Sequence, residues 1–200
     1  MSATTQRFIS FSLGRGDANL NRVFSTCVLT HALIALGVLV LVESVGLWFL
    51  YNKMIIPEVR MDAAFWVFQF SALSTVVTVM SIPFNADIIA HEKMSAFAYI
   101  SIVEVCLKLL IVFLLDVGNI DKLVLYGLLL LLVQCGIFLT YMGYCLRHFK
   151  ESRFRFVYEK KLFSEVFSFA GWNLWGYLAS ILYTQGLNIL LNVFFGPVVN

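Results

Sequence analysis

The chain has 200 residues, of which 60% are hydrophobic and 13% charged, and its mean hydropathy is +0.87. An ordinary soluble domain is about 45–50% apolar and about 25% charged, so both a disordered chain and a water-soluble globule are excluded. Fourteen Lys and Arg against 12 Asp and Glu leave a net charge of +2, too small for the basic footprint that a nucleic-acid partner requires. The bilayer is therefore the solvent, and the expected fold class is an all-α membrane protein, a polytopic bundle of about five transmembrane helices.

A hydrocarbon core about 30 Å thick takes around 20 apolar residues in helix. Taken in chain order, the candidate spans are 23–51, 63–89 with Pro83 inside it, 94–115, 123–146 and 163–195. Gly- and Asp-containing turns separate them: residues 12–17 before the first, Asn52 to Pro57 after it, and 116–119 between the third and fourth. Gly196-Pro197 supplies a stop for the last helix. Short links make successive helices antiparallel neighbours.

Cationic residues fix an expected orientation. With the N-terminus cytoplasmic, Arg7, Arg15, Arg22, Lys93, Arg147, Lys150, Arg153, Arg155, Lys160 and Lys161 lie inside, and Lys53, Arg60 and Lys122 lie outside. Lys108 alone falls within a span. The polar stretch 147–165, with Phe154, Phe156 and Tyr158 between charges, reads as a cytoplasmic linker with an interfacial lead-in helix or as a grip on anionic headgroups.

Ionisable and amide groups at membrane depth are costly and mark interior or wet positions. Glu104 and Lys108 stand i,i+4 on one helix face, each able to neutralise the other. They read either as a structural lock or as the lining of a path for a hydrated cargo. Glu43 either snorkels to the interface or enters a cavity. Pro83, with Asn85 and Asp87 near it, predicts a kink and a candidate hinge. Asn173 and the i, i+3, i+7 stripe of Gln185, Asn188 and Asn192 suit helix glue or the hydroxyls of a sugar.

Signatures of soluble enzymes are missing: the chain has no GxxxxGK[ST], HExxH or GxSxG motif. Cys27, Cys106, Cys135 and Cys145 form no CxxC pair and read as small buried hydrophobes, and His31, His91 and His148 are scattered. No metal or other cofactor is expected. His91-Glu92 and Arg147-His148 are the loops' weak hint of chemistry. A membrane polymerase would carry a large outer loop, whereas 52–62 and 116–122 are short.

Several phrases resemble a known family. They are Ser2-Ala-Thr-Thr-Gln-Arg-Phe-Ile-Ser10, Leu13-Gly-Arg-Gly-Asp17, Asn21-Arg-Val-Phe-Ser25, Ser81-Ile-Pro-Phe-Asn85, Ile89-Ala-His-Glu-Lys-Met-Ser-Ala-Phe-Ala-Tyr-Ile100, Phe167-Ser-Phe-Ala-Gly-Trp-Asn173 and the run from Asn188 to Asn200. Across the chain they resemble the polysaccharide-transporter branch of the multidrug/oligosaccharidyl-lipid/polysaccharide flippases, most of all the lipopolysaccharide-biosynthesis flippases of Bacteroidetes-type bacteria. The resemblance implies a partial MATE-like fold, with residues 1–146 in the N-terminal lobe, 147–165 as linker and 166–200 opening the C-terminal lobe. It also implies that the chain is a fragment, lacking the first helix, most of the second and much of the second lobe. The implied activity is non-enzymatic: carrying lipid-linked oligosaccharide across the bacterial inner membrane. Arg7, Glu104, Lys108, Gln185, Asn188 and Asn192 are then the expected headgroup path. A MATE-type drug/cation antiporter, using Glu43, Asp87 or Glu104, is the alternative within the fold; a non-transporting scaffold is another.

Overall fold

The computed structural model describes residues 2–15, 20–52, 57–115 and 121–153, together with scattered positions between 163 and 183. Within these, α1 covers Ser2–Gly14 and α2 covers Leu20–Leu41. A π-helical turn, Val42–Gly46, joins α2 without a break to α3, Leu47–Asn52. Then come a 3₁₀ turn (Glu58–Arg60), α4 (Met61–Ala90), α5 (Met94–Leu114) and α6 (Lys122–His148), followed by a second 3₁₀ turn, Lys150–Ser152. Among the described residues, four stretches are long and apolar enough to cross a membrane: Leu20–Asn52, Met61–Ala90, Met94–Leu114 and Lys122–His148. Most of the expected fifth span lies outside the described residues.

Their boundaries follow from local chemistry. Asp121 caps α6, its carboxylate accepting from the Leu123 amide at 3.0 Å. The last turn of α4 closes in a Schellman arrangement: the Lys93 amide bonds the Ile88 carbonyl at 3.1 Å and the Glu92 amide bonds Ile89 at 3.0 Å. Glu92 takes the left-handed position with φ 58°, a place glycine usually fills. The α1 helix runs on to Gly14, so the chain leaves the helix at Arg15, three residues later than the Ser12 start of the expected turn.

The central helix is α4. It packs against α1, α2 and α6, while α5 lies on α6 and the edge of α4. Burial concentrates at one end, where Phe24, Cys27, Ile88, Tyr141, Cys145 and Phe149 share a core with Ile9 of α1. Phe84 links the sides of that core, edge-on to Phe24 at 5.5 Å and to Phe138 at 5.7 Å. Long apolar faces of α2, α3 and α5 stay exposed, Leu36, Val40, Trp48, Val105 and Phe113 among them. In water such faces would aggregate; in lipid they are at home.

The antiparallel arrangement separates two ends. Arg60 and Asp121 meet at 2.8 Å at one, joining the starts of α4 and α6. At the other, the α4–α5 turn, the start of α2 and the end of α6 come together. Arg22, Lys93, Arg147, Lys150 and Arg153 belong to that second end, and Arg60 and Lys122 to the first.

Candidate functional site

Polar side chains gather at two depths. The deeper set contains the expected pair: Lys108 Nζ donates to Glu104 Oε1 at 2.5 Å, with the side chains 45% and 25% exposed. Helical periodicity makes this contact, since residues four apart stack on one face. Tyr141 of α6 faces the same turn, bonding Ser101 and lying within electrostatic reach of Glu104.

Just beyond α2, Glu43 is half-buried and has a partner. Gln69 of α4 donates to its Oε2 at 3.1 Å. Glu43 sits in the π turn, the kind of helix irregularity that often marks functional positions. At Gly46 the Phe68 ring comes so near that an added Cβ would lie 2.6 Å from it.

The second set closes the end of the bundle that holds the α4–α5 turn. Asp87, 0% exposed, accepts from the Ser152 hydroxyl at 2.6 Å through Oδ2. One helical turn on, His91 places Nδ1 at 2.9 Å from the Asp87 carbonyl and 3.4 Å from Oδ1, and Nε2 at 2.7 Å from Glu151 Oε1. Phe149 stacks on the imidazole at 3.9 Å. Asn21, at the start of α2, donates to the carbonyls of Glu151 and Arg153 at 2.7 and 2.5 Å. Burial alone lowers the His91 pKa, but hydrogen bonds and charge from Asp87, with Glu151 beyond, outweigh it and hold the ring up to about 9.

A third feature is a polar seam along α1 and α2: Thr4, Thr5, Ser25, Thr26, Thr30 and His31 are all buried. Thr26 and Thr30 hydroxyls return to carbonyls four residues back, each at 2.8 Å. His31 Nδ1 lies 2.8 Å from the Cys27 carbonyl, while its Nε2 and Asn85 Oδ1 are buried without a hydrogen-bond partner.

Of the expected path residues, Glu104 and Lys108 come together. Arg7 is exposed on α1, which packs mainly on α2 and α4. Gln185, Asn188 and Asn192, like Asn173, lie outside the described residues. Pro83 is buried in a helix that continues through it to Ala90. Asp87 is engaged by Ser152 and His91, and next to the proline the Cys145 thiol donates to the Phe84 carbonyl at 3.3 Å. The cysteines divide: Cys27 and Cys145 are buried, Cys135 is half-buried and Cys106 faces outward. Among the described residues, no three His, Cys, Asp or Glu side chains converge as a metal site.

The Asp87–His91–Glu151 chain and the buried seam are what sequence reasoning missed. An Asp-x-x-x-His pair ending an apolar helix was the available signal for the first, because i,i+4 spacing joins the two side chains. Its third member stands 60 residues away from His91, which no local pattern reveals. Comparison with family models, with curated proteins and with solved structures gives no match.

Proposed function

We propose that the chain forms part of a polysaccharide flippase of MATE-like fold, moving lipid-linked oligosaccharide from the inner to the outer leaflet of a bacterial inner membrane. The α4–α5 turn then faces the cytoplasm, in keeping with the sorting of Lys and Arg between the two ends. Family-like phrases along the chain support this reading.

The observation that carries it is the Glu104–Lys108 pair. Two charges at mid-span, neutralising one another yet still 25–45% exposed, fit a wall that meets water or a polar headgroup better than one that meets only acyl chains. A sugar phosphate needs such a surface while its lipid tail stays in the bilayer. Unpaired buried polar atoms, His31 Nε2 on the seam and Asn85 Oδ1 on α4, suit ordered water in the bundle interior. No bond is made or broken in this process, so no nucleophile or general base is required of the chain.

A leaflet-exposure assay tests the proposal. Deleting the gene should trap lipid-linked glycan on the cytoplasmic face, with outer-leaflet delivery falling about tenfold or more; unchanged delivery would count against it. The antiporter reading draws on one specific contact, Glu43 with Gln69 in the π turn. It predicts that Glu43→Gln abolishes ion-coupled drug efflux from vesicles, whereas a flippase shows no such efflux.

A further inference from the structure

The segment following α6 is tied down at several points, and the ties converge on one imidazole. Residues 149–153 continue from α6 through the Phe149 amide on the Cys145 carbonyl at 2.8 Å. They then cross to α4 through Ser152 on Asp87 and Glu151 on His91, and to α2 through Asn21. Beneath them lie Cys27 and Cys145, both fully buried.

Geometry assigns the ring's protons. Carboxylate and carbonyl oxygens only accept, and both His91 nitrogens point at such oxygens: Nε2 at Glu151 Oε1, Nδ1 at the Asp87 carbonyl and Oδ1. A neutral imidazole, in either tautomer, turns one lone pair toward an oxygen. Only the imidazolium donates on both sides.

We propose that Asp87, His91 and Glu151 form a proton-operated clasp that holds residues 149–153 shut over the ends of α2, α4 and α6. When the ring loses a proton the one that remains stays on Nδ1, held by the Asp87 carbonyl and carboxylate, so Nε2 turns a lone pair on Glu151 Oε1 and the segment lifts from the Cys27–Cys145 core. The clasp is independent of the flippase reading, since it concerns how the chain closes its own end rather than what the chain carries.

The groups around the ring are consistent with one operating proton. Asp87 on α4 and Glu151 after α6 touch it; Cys27 on α2 and Cys145 on α6 lie within electrostatic reach of Asp87; Glu92 and Lys93 follow it in the turn. The ring is held up to about 9, against about 6.5 when free. The clasp is therefore fully closed below about pH 6.5 and opens as the pH rises through about 9.

Two measurements on the full chain in lipid nanodiscs test this. Imidazole nitrogen shifts of the unmodified protein should show both His91 nitrogens protonated at pH 7; a neutral His91 ring at that pH overturns the clasp without any substitution. Methanethiosulfonate labelling of Cys145 is then compared between His91→Gln and wild type at each pH, so that the thiol's own pH dependence cancels in the ratio. The expected ratio is about tenfold or more at pH 6.5, the scale of a lost charge-assisted hydrogen bond, and it falls toward one at pH 10. Glu151→Gln, which keeps the chain's shape and the Phe149 stack, should repeat the pattern. A ratio of one throughout, or a raised ratio that ignores pH, rejects proton control.

Discussion

Ser152 and Asp87 meet at 2.6 Å although 65 residues separate them, and the contact puts a carboxyl group out of reach of solvent. Burial of such a group is tolerated only where hydrogen bonds replace water. The hydroxyl of Ser152 supplies one to Oδ2, while Oδ1 has only the imidazole 3.4 Å away. Ser152→Ala should therefore cost about 1–3 kcal/mol, the penalty of a buried acceptor left unmade. Thermal unfolding in nanodiscs would show it, and Ser152→Thr, which restores the hydroxyl, should recover most of the loss.

The pH dependence of stability follows from His91. Its pKa is raised in the folded chain to about 9, above the free value of about 6.5. The stabilisation is accordingly complete below about pH 6.5 and disappears as pH climbs through about 9. Wild type should exceed His91→Gln by about 3 kcal/mol at pH 6 and match it near pH 10, as read by unfolding at each pH. A gap that widened with alkalinity would reverse the sign and refute the assignment.

How the sequence foretold some of this and not the rest has a physical basis. Spans were readable because a bilayer demands about 20 apolar residues in a row, and Met94 through Leu114 satisfies that demand locally. Glu104 and Lys108 were readable because one helix carries both. Asp87 was visible as a polar residue beside Pro83, but its partner Ser152 comes from a different element, and pairing across 65 positions depends on how α4 and α6 pack. His91 looked like a loop residue for the same reason: Glu151 supplies half its environment. Glu43 was equally opaque, since Gln69 reaches it from α4.

Glu92 occupies the left-handed position that ends α4, at φ 58°. A side chain there costs roughly 1–2 kcal/mol relative to glycine's freedom, and an acidic group at a helix C-terminus also opposes the dipole. Glu92→Gly should stabilise the chain by about 1 kcal/mol after the extra entropy of an unfolded glycine is deducted. A rise in unfolding temperature, with the same helix content by circular dichroism, would be the sign. A fall would mean that the Glu92 side chain holds something else in place.

Gly46 offers the opposite case. A methyl group there would lie 2.6 and 2.9 Å from the outer edge of the Phe68 ring, well inside van der Waals contact. The ring must swing aside or the π turn must move from α4, and overpacking of this kind costs about 1–3 kcal/mol. Gly46→Ala should loosen the packing beside the Glu43–Gln69 bond. By contrast Gly37, with nothing within 4 Å of an added Cβ, should accept alanine and gain about 1 kcal/mol from helix propensity.

On the proposed flippase function, the Glu104–Lys108 pair allows stability and transport to be separated. Lys108→Leu leaves Glu104 without the ammonium 2.5 Å away, and an isolated charge at the centre of a span costs about 2.5–3.5 kcal/mol on insertion scales. The share of chains with α5 inserted should drop, as glycosylation mapping would report. Adding Glu104→Gln removes the orphaned charge and should restore insertion. If the pair serves only to lock helices, glycan delivery returns with insertion in the double variant. If it lines the path of a phosphate-linked sugar, insertion recovers while delivery stays low, because the side chains that replaced water around the headgroup are gone.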